Sequence, residues 1–481
     1  MTPEIIIVGL GKTGLSCAAH MHRAGLAFGM MDTRVQPPNW ETIPAQYPQI
    51  PLYSGGFGTC PLAQVKTLIL SPGLSRHHPE ILRAQHANPD VEIIGDIELF
   101  ARCYQGPLVA ITGSNGKSTV TSLVGAMAAA AGLSVGVGGN LGTPVLDLLQ
   151  QQYPLYVLEL SSFQLESTDS LKPSVATILN LSPDHLDHYA SMRAYVAAKA
   201  RIFRQAIKVV LNRDDPLLMQ MVSEGCLDHL SSENILSFGL GQPLACSASL
   251  PPSKGTAPRV PRTRPPSKGV EEDAMAYGLL QDHEVLYLAR GREKLLPVSA
   301  LKLVGRHNIA NALAALALAE SVALPLPSSL EALKNFGGLP HRCEWVRMHQ
   351  GLLFINDSKG TNVGATVATL EGLAGTIPGR WVLIAGGRAK NTDFSDLKKV
   401  VQPYCSALVL IGEATAPLAA LFEGLVPCLR ARTMEEAVGT AVQAAALGDG
   451  VLLSPSCTSL DMFRDFEARG DAFKEAVWAL A

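Results

Sequence analysis

Short apolar runs alternate with longer stretches rich in alanine and leucine along the whole chain. The short runs predict buried strands at residues 5–8, 65–70, 108–112, 156–160, 176–181, 353–356, 381–385, 407–411 and 451–453. The longer stretches predict helices at residues 118–131, 192–205 and 308–321. This alternation predicts an α/β protein whose sheets are largely parallel.

The chain is too long to fold around one hydrophobic core. With 481 residues it is expected to form three domains, which we place at residues 1–95, 96–340 and 341–481. The Gly-Gly-Leu-Pro sequence at 337–340 predicts a hinge. Residues 243–272 are rich in proline, serine and basic residues and contain PPSKG twice, which predicts a surface insertion.

Composition and charge narrow the class of protein. Hydrophobic residues make up 47% of the chain and charged residues 17%, which excludes a disordered protein. The formal net charge of −3 gives no reason to expect nucleic acid or a membrane surface as a partner. Nine scattered cysteines without a CxxC pair indicate reduced thiols in a cytosolic protein. We expect no signal peptide and no membrane span, because no apolar run is long enough.

The most specific motif is TGSNGKST at residues 112–119, between a predicted strand and a predicted helix. Its glycines let backbone N–H groups converge on phosphate oxygens, and the helix N-terminus adds a positive dipole. Lys117 is placed to neutralise phosphate charge, and Ser118 to offer a hydroxyl to Mg²⁺. Ile111 stands where the general pattern has its first glycine. The motif still predicts a nucleoside triphosphate site.

A second glycine-rich loop, GLGKTG, occupies residues 9–14 after the first strand, and Asp32 ends the next strand. A GxGxxG turn followed by an acidic residue is typical of a Rossmann-like domain that binds a dinucleotide. A tight turn without a ligand is the alternative. The pattern itself indicates only a loop that suits phosphate.

Four side chains further along carry possible chemistry. Glu159 ends an apolar strand, where a carboxylate can hold Mg²⁺, and a surface glutamate is the alternative. His185 and His188 resemble a zinc pair, but no third ligand accompanies them at metal spacing. Lys199 lies in the following helix, where a solvated lysine is the ordinary interpretation.

Two polar loops close apolar strands in the last third of the chain. They are NDSKGTN at residues 356–362 and SPSCTS at residues 454–459. Because α/β proteins bind ligands beyond the carboxyl ends of their strands, these loops predict a pocket for a small anion, with solvent loops as the alternative.

Together these motifs resemble the Mur ligases, ATP-dependent enzymes that form amide bonds in peptidoglycan assembly. The resemblance covers nearly the whole chain and includes LELSSFQL around Glu159, GRHNIANALAA (305–315) and LPHR (339–342). It implies a Rossmann-like N-terminal domain, a central P-loop mononucleotide-binding domain and a C-terminal Rossmann-like α/β domain.

Within that family, GLGKTG, MDTR (31–34) and SPSCTSLDMF (454–463) resemble the members that add D-glutamate. In those enzymes the first domain holds the UDP part of the substrate and no redox cofactor. The resemblance therefore implies an ADP-forming ligase that adds D-glutamate to UDP-N-acetylmuramoyl-L-alanine, with ATP and two Mg²⁺ sites. We expect it to be a cytoplasmic monomer.

The resemblance also implies contacts for individual residues. The UDP-substrate contacts are Thr13, Asp32, Thr33, Arg34, Gly73, Asn140 and His185. The ATP contacts are Gly113, Ser114, Asn115, Gly116, Lys117, Ser118, Thr119, Asn308, Asn311, Arg342 and Asp357. The D-glutamate contacts are Lys359, Thr361, Lys390, Ser459 and Phe466.

The interpretation of Lys199 is reversed by the resemblance, because it matches a lysine that family members carry as a carbamate. Adding CO₂ turns a cation into a carboxylate that can bind Mg²⁺. His185 would share that ion, while Ser118 and Glu159 would hold the other. The expected catalytic residues are therefore Lys117, Glu159, His185 and Lys199.

Three positions depart from the family pattern. Gly360 stands where alanine is usual, and Arg388 and Ala389 replace an aspartate and a glycine of close relatives. Other hypotheses are another Mur ligase, a ligase like folylpolyglutamate synthase, and a P-loop binding module without ligase chemistry. The second is disfavoured because it lacks a domain built on a GxGxxG strand before its P-loop.

Overall fold

The structure, a computed structural model, describes residues 3–60, 62–183, 188–241, 244–245, 276–303, 305–389 and 392–480. In those residues it contains three β-sheets flanked by helices, which confirms the predicted α/β fold class. The chain divides into two compact units, Met1–Pro297 with Ala312–Ala332, and Val298–Asn311 with Leu333–Ala481. The predicted insertion at 243–272, apart from residues 244–245, lies outside the described residues.

The first sheet has five parallel strands and belongs to the first unit. Its strands are β1 (Ile5–Val8), β2 (Gly29–Asp32), β3 (Leu52–Ser54), β4 (Thr67–Leu70) and β5 (Glu92–Gly95), and its helices are α1 (Lys12–Arg23), α2 (Ile43–Gln46) and α3 (Pro79–Ala87). The order is β3-β2-β1-β4-β5, so the loops that follow β1 and β4 are neighbours. Both faces of β1 are covered, and Ile6 and Ile7 are fully buried.

The second sheet is the largest and lies in the same unit. Its strands are β6 (Leu108–Thr112), β7 (Val135–Gly139), β8 (Leu155–Glu159), β9 (Val175–Ile178), β10 (Lys208–Asn212), β11 (Ile235–Phe238), β12 (Leu244–Ala245), β13 (Tyr277–Asp282), β14 (Val285–Arg290) and β15 (Glu293–Pro297). The order is β15-β14-β13-β11-β10-β9-β6-β8-β7, and β12 pairs with β13. Strands β13 to β15 pair antiparallel, and the others are parallel. Since β6 lies between β8 and β9, the loops after these three strands converge.

Helices cover both faces of the second sheet and connect it to the first. They are α4 (Asp96–Cys103), α5 (Lys117–Ala130), α6 (Val145–Leu148), α7 (Ser162–Glu166), α8 (Met192–Ala200) and α9 (Pro216–Ser223). Helix α4 leads directly from β5 toward β6, and its Ile97 and Phe100 are fully buried in one apolar cluster with Ile7 and Tyr156. The first two sheets therefore share a hydrophobic core.

The third sheet lies in the second unit. Its strands are β16 (Glu344–His349), β17 (Leu352–Asn356), β18 (Trp381–Gly386), β19 (Cys405–Ile411), β20 (Cys428–Arg430) and β21 (Gly450–Leu453), in the order β16-β17-β21-β18-β19-β20. The remaining helices are α10 (Arg306–Ser321), α11 (Leu326–Asn335), α12 (Val363–Gly372), α13 (Lys398–Tyr404), α14 (Thr415–Phe422), α15 (Met434–Ala444) and α16 (Phe466–Trp478). Strands β17 and β21 are neighbours, so the two polar loops of this region lie side by side.

Strand β7 is rich in glycine because its surroundings leave no room for side chains. A Cβ atom at Gly138 would lie 2.3 Å from the carbonyl oxygen of Thr143. A Cβ atom at Gly139 would lie 2.4 Å from the carbonyl oxygen of Glu159, and Gly139 also has a φ of +97°. The strand can therefore run close beside the end of β8.

The helices in the described part of the chain include none that is long and apolar enough to cross a membrane.

Candidate functional site

The loop after β6 has the conformation that phosphate binding requires. Gly113 and Gly116 have φ values of +154° and +81°, a region that other residues rarely adopt. Gly116 precedes the first residue of α5, so the free N–H groups of that helix face the loop. Converging N–H groups and a helix N-terminus can cradle phosphate oxygens.

The segment after β9 braces this loop. The N–H of Ser114 donates to the carbonyl of Asn180 at 2.9 Å. The Asn180 side chain accepts from the N–H of Asn115 at 2.8 Å and donates to its carbonyl at 3.1 Å. The predicted strand at 176–181 ends at Ile178, because the residues that follow use their polar groups for this brace.

Two lysines reach the same carbonyl group beneath the loop. Lys117 Nζ donates to the carbonyl oxygens of Gly113 at 2.9 Å and Ser114 at 2.8 Å, and Lys199 Nζ donates to that of Gly113 at 3.0 Å. Lys199 is 2% exposed, and its ammonium lies 4.7 Å from the centroid of the Tyr195 ring. The interpretation of Lys199 as a solvated helix lysine is therefore wrong. Two like charges this close favour an anionic partner or the loss of one charge.

Glu159 faces the loop from the end of β8. Its carboxylate oxygens accept hydrogen bonds from Ser118 Oγ at 2.6 Å and from the side-chain amide of Asn140 at 2.7 Å. The alternative of a surface glutamate is wrong, because Glu159 is 3% exposed. The N–H of Asn140, just after β7, also donates to the Glu159 carbonyl at 2.9 Å. A hydroxyl and a carboxylate are thus held side by side next to the loop.

In the first sheet, a buried aspartate holds the turn after β1. Asp32 accepts hydrogen bonds from the N–H of Leu10 at 3.0 Å, from the N–H of Arg34 at 3.0 Å and from the Arg34 guanidinium at 2.7 and 2.9 Å. Burial alone would raise the pKa of Asp32, but these hydrogen bonds lower it to about 2. Asp32 is therefore a permanent anion that shapes the glycine-rich turn.

The same turn is compact and has an unsatisfied polar atom beside it. A Cβ atom at Gly14 would lie 1.8 Å from the carbonyl oxygen of Gly9. Gly9 itself has a φ of +107°. The hydroxyl oxygen of Ser71, after β4, is buried and has no hydrogen-bond partner among the described residues. The other residues implied for the UDP substrate here are the half-buried Thr13 and the exposed Thr33 and Gly73.

In the second unit, a buried carboxylate joins the loops after β17 and β21. Asp357 accepts hydrogen bonds from Ser454 Oγ and Thr369 Oγ1, both at 2.8 Å, and from the N–H of Cys343 at 3.2 Å. Burial raises the pKa of Asp357 to about 6, although the hydrogen bonds and the charge of Arg342 act in the opposite direction. The site around Asp357 is therefore closely packed and polar.

Four of the five side chains implied for D-glutamate lie on these loops and at the start of α16. The Lys359 ammonium lies 3.7 Å from the centroid of the Phe466 ring. Ser459 is buried, and Thr361 is half-buried and donates its N–H to the Lys359 carbonyl at 2.7 Å. The structure thus groups a cation, a hydroxyl and an aromatic ring on neighbouring loops.

Two of the three positions that depart from the family pattern, Gly360 and Arg388, have contacts that the structure describes. A Cβ atom at Gly360 would lie 2.7 Å from Ser454 Oγ and 2.8 Å from a carboxylate oxygen of Asp357, so an alanine would force both to shift. The Arg388 guanidinium donates to the Glu413 carboxylate at 3.2 and 3.3 Å, which balances its charge within the loop.

The remaining residues implied for ATP are near the start of α10 and before β16. Asn308 and Asn311 are buried one turn apart, and the Asn311 amide donates to the Asn308 side-chain oxygen at 3.1 Å. Arg342 is half-buried. His185 and Lys390 lie outside the described residues.

Comparison with known proteins decides the family. Family models match residues 3–95 (Mur ligase MurD-like, N-terminal domain), 111–242 (Mur ligase middle domain) and 341–457 (Mur ligase, glutamate ligase domain). The UDP-N-acetylmuramoylalanine–D-glutamate ligase of Pseudomonas aeruginosa is 47% identical over 99% of this chain and 98% of its own. The chain belongs to the Mur ligase family. The ligase of the same name from Legionella pneumophila is 44% identical over 99% of both chains.

Solved structures of Mur ligases share the fold at low sequence identity. UDP-N-acetylmuramate-alanine ligase MurC from Thermotoga maritima matches with a TM-score of 0.57 at 19% identity, over 99% of both chains. A pseudomurein peptide ligase type C from Methanothermus fervidus matches with a TM-score of 0.56 at 19% identity, again over 99% of both chains. These likenesses support the three-sheet α/β architecture of this Mur ligase.

Sequence patterns do not single out several side chains that shape this Mur ligase site. Tyr195 Oη contacts Ser114 Oγ at 3.1 Å, and Asp215 accepts the N–H of Leu181 at 2.7 Å while its side chain caps α9. The signal available for Asp215 is an aspartate before proline, which is typical of a helix N-cap. That signal predicts the cap but not the brace behind the phosphate loop.

Proposed function

We propose that this Mur ligase uses ATP to join D-glutamate to UDP-N-acetylmuramoyl-L-alanine in the synthesis of peptidoglycan precursors. Enzymes of that name are 44% and 47% identical to it over almost the whole chain. The observation that carries the ATP-dependent chemistry is the contact between Ser118 and Glu159 beside a glycine-rich loop that contains Lys117.

In this proposal the triphosphate lies in the loop at residues 113–119. Lys117 and the unmodified Lys199 share the Gly113 carbonyl, so either a bound anion or conversion of Lys199 to a carbamate relieves the repulsion between their charges. Lys117 would exchange its carbonyl partners for phosphate oxygens. Further ATP contacts are proposed for Asn308, Asn311, Arg342 and Asp357.

The chemistry of the Ser118 and Glu159 pair suits Mg²⁺. A hydroxyl and a carboxylate oxygen 2.6 Å apart are hard donors of the kind that this ion prefers. No three His, Cys, Asp or Glu side chains converge as a metal site within the described residues, so phosphate oxygens and water would complete the coordination. We place the second ion at His185 and at Lys199 as a carbamate. Bound Mg²⁺ would neutralise charge on the phosphate that is transferred.

The reaction consists of two displacements. An oxygen of the L-alanyl carboxylate attacks the γ-phosphorus of ATP, and ADP leaves to give an acyl phosphate. The amine of D-glutamate attacks the acyl carbon, and phosphate leaves with the former carboxylate oxygen while the nitrogen loses a proton. Lys117 holds the phosphate in line during the first step, so catalysis rests on positioning and charge neutralisation.

The remaining contacts are proposed from the family resemblance. We propose that the UDP part of the substrate lies on the turn held by Asp32, next to the Ser71 hydroxyl, which has no hydrogen-bond partner in the described part of the chain. We also propose that Asn140 and His185 contact the acyl end of this substrate. The residues proposed for UDP are Thr13, Asp32, Thr33, Arg34 and Gly73, and those proposed for D-glutamate are Lys359, Thr361, Lys390, Ser459 and Phe466.

We further propose that residues 1–95, 96–340 and 341–481 form the domains for UDP, ATP and the amino acid. The enzyme would act as a monomer in the cytoplasm, where ATP and UDP-linked precursors are available.

Phosphate release from ATP tests the proposed reaction. We expect release that requires both UDP-N-acetylmuramoyl-L-alanine and D-glutamate, with no product from L-alanine, L-lysine or diaminopimelate in place of D-glutamate. When the L-alanyl carboxylate carries ¹⁸O, one labelled oxygen should appear in the released phosphate, because the acyl phosphate transfers it.

Two variants control this assay. Lys117→Ala should abolish phosphate release, whereas Lys399→Ala, which removes an exposed lysine paired with Asp396, should leave it unchanged. ATP hydrolysis that ignores both substrates would identify a nucleotide-binding module instead. Product with a different amino acid would identify another Mur ligase activity.

A further inference from the structure

Helix α4 holds α7 and the residues after it through two buried carboxylates. Asp96 and Glu98 are 2% and 3% exposed. Asp96 accepts hydrogen bonds from Gln164 Nε2 at 3.1 and 3.3 Å. Glu98 accepts the N–H groups of Asp169 at 2.8 Å and Ser170 at 2.9 Å. The two carboxylates therefore act on different ends of the same segment.

Gln164 connects Asp96 to the turn at the end of β8. Its Oε1 accepts the N–H of Ser161 at 3.1 Å, while Ser161 Oγ accepts the N–H of Gln164 at 3.2 Å, which forms a capping box. Because Oε1 must face the Ser161 N–H, the amide has one orientation and Nε2 faces Asp96. Ser161 lies two residues after Glu159.

The backbone between Glu159 and Ser161 is held from the other side by β6. The N–H of Leu160 donates to the carbonyl of Ile111 at 2.8 Å. The Thr112 hydroxyl donates to the carbonyl of Leu160 at 2.7 Å. The turn that follows Glu159 is thus fixed by β6 on one side and by Gln164 on the other.

We propose that Asp96 is a positioning residue for the Glu159 carboxylate and acts through Gln164 and Ser161. The inference rests on the proposed function, in which Glu159 and Ser118 hold Mg²⁺. Without the Asp96 carboxylate, a buried amide N–H group loses its acceptor and the capping box can reorient. Glu159 would then turn away from Ser118. None of the residues assigned to D-glutamate belongs to this relay.

Three variants separate this role from a general loss of stability. Asp96→Ala removes the acceptor, whereas Asp96→Asn keeps one oxygen in nearly the same place. Glu98→Gln is the matched control, because Glu98 lies on the same helix and is equally buried but contacts Asp169 and Ser170 instead. If Asp96→Ala does not fold, Gln164→Met tests the same relay, since it keeps the side-chain length and removes both polar groups.

The first measurement is the Mg²⁺ dependence of the ligase reaction. We expect the half-saturating Mg²⁺ concentration to rise about tenfold in Asp96→Ala, as is typical when the support of a metal-binding side chain is lost. It should rise far less in Asp96→Asn and Glu98→Gln. The KM for D-glutamate should stay unchanged in all three variants.

A second measurement needs no turnover. Binding of Mn²⁺ in the presence of a non-hydrolysable ATP analogue, followed by electron paramagnetic resonance, should weaken in the same order. Amide exchange at residues 159–164 should be faster in Asp96→Ala than in Glu98→Gln. Equal Mn²⁺ affinity in wild type, Asp96→Ala and Glu98→Gln would overturn the positioning role.

The outcomes also separate this inference from the proposed function. A wild-type protein without Mg²⁺-dependent ligase activity would mean that the proposed function fails. An active, Mg²⁺-dependent wild type together with an Asp96→Ala variant of unchanged Mn²⁺ affinity would mean that only the role of Asp96 is wrong.

Discussion

Replacing Lys199 by alanine is expected to stop the ligase reaction at a moderate cost in stability. The side chain is buried, and its end reaches the Gly113 carbonyl and the Tyr195 ring. Truncation removes about three buried methylene groups, which corresponds to roughly 2–3 kcal/mol of unfolding free energy. Loss of the proposed carbamate removes a charged group at the phosphate and should lower kcat on the order of 10³-fold.

Lys199→Met separates the packing of the buried aliphatic part of the side chain from the chemistry of its amino group. Methionine has a similar unbranched side chain but cannot react with CO₂. We expect both variants to be inactive, with the methionine variant closer to wild type in melting temperature. Added formate or acetate should restore activity only to Lys199→Ala, because methionine fills the space that the small carboxylate needs.

Initial rates of ADP formation with both substrates present measure these effects. Wild-type protein incubated with ¹³C-labelled bicarbonate should show a carbamate resonance, and neither variant should. If Lys199→Ala keeps more than about a tenth of the wild-type rate without added carboxylate, the loss is under 1.4 kcal/mol and the carbamate assignment is refuted.

Two further predictions concern stability. Gly14→Ala should lower the melting temperature, because the new Cβ atom would lie 1.8 Å from the Gly9 carbonyl oxygen. Gly11→Ala should leave it unchanged, because a Cβ atom there would have no atom within 4 Å, and equal melting temperatures for the two variants would contradict this prediction. Burial raises the pKa of Asp357 from 3.8 to about 6, so between these values the folded state binds more protons than the unfolded state. The free energy of unfolding of the second unit should therefore fall by up to roughly 3 kcal/mol, relative to the Asp357→Asn variant, as pH rises through this window. Urea unfolding at several pH values measures this difference, and a difference between the two proteins that does not change with pH would refute the prediction.

The sequence predicts those parts of the fold in which one local pattern suffices. Strands β1 and β6 have the predicted bounds, because each is a short aliphatic run between turns with both faces buried. The antiparallel strands β13 to β15 escape prediction because they are partly exposed, and because β13 and β15 each have only two adjacent leucines as an aliphatic run. They are strands because they pair with one another and with the edge of a parallel sheet.

Some residues of the candidate site can likewise be predicted from a local sequence pattern, and others cannot. Lys117 and Ser118 can be predicted because loop, lysine and hydroxyl lie within one short motif. The burial of Lys199 cannot, because it depends on a contact with Gly113, which is 86 residues away in the chain. The link from Asp96 to Gln164 spans 68 residues and has no local signal either. The expectation that Lys199 has a functional role comes only from the family resemblance.

The glycines of β7 limit how this protein can change under selection. The atoms that exclude a side chain at Gly138 and Gly139 are carbonyl oxygens of Thr143 and Glu159, so no smaller neighbouring side chain could make room. A designed ligand that rests on the main chain at Gly138 and Gly139 would meet a surface that substitution of these two glycines cannot reshape without displacing the Thr143 or Glu159 carbonyl. Escape from such a compound would have to arise elsewhere in the molecule.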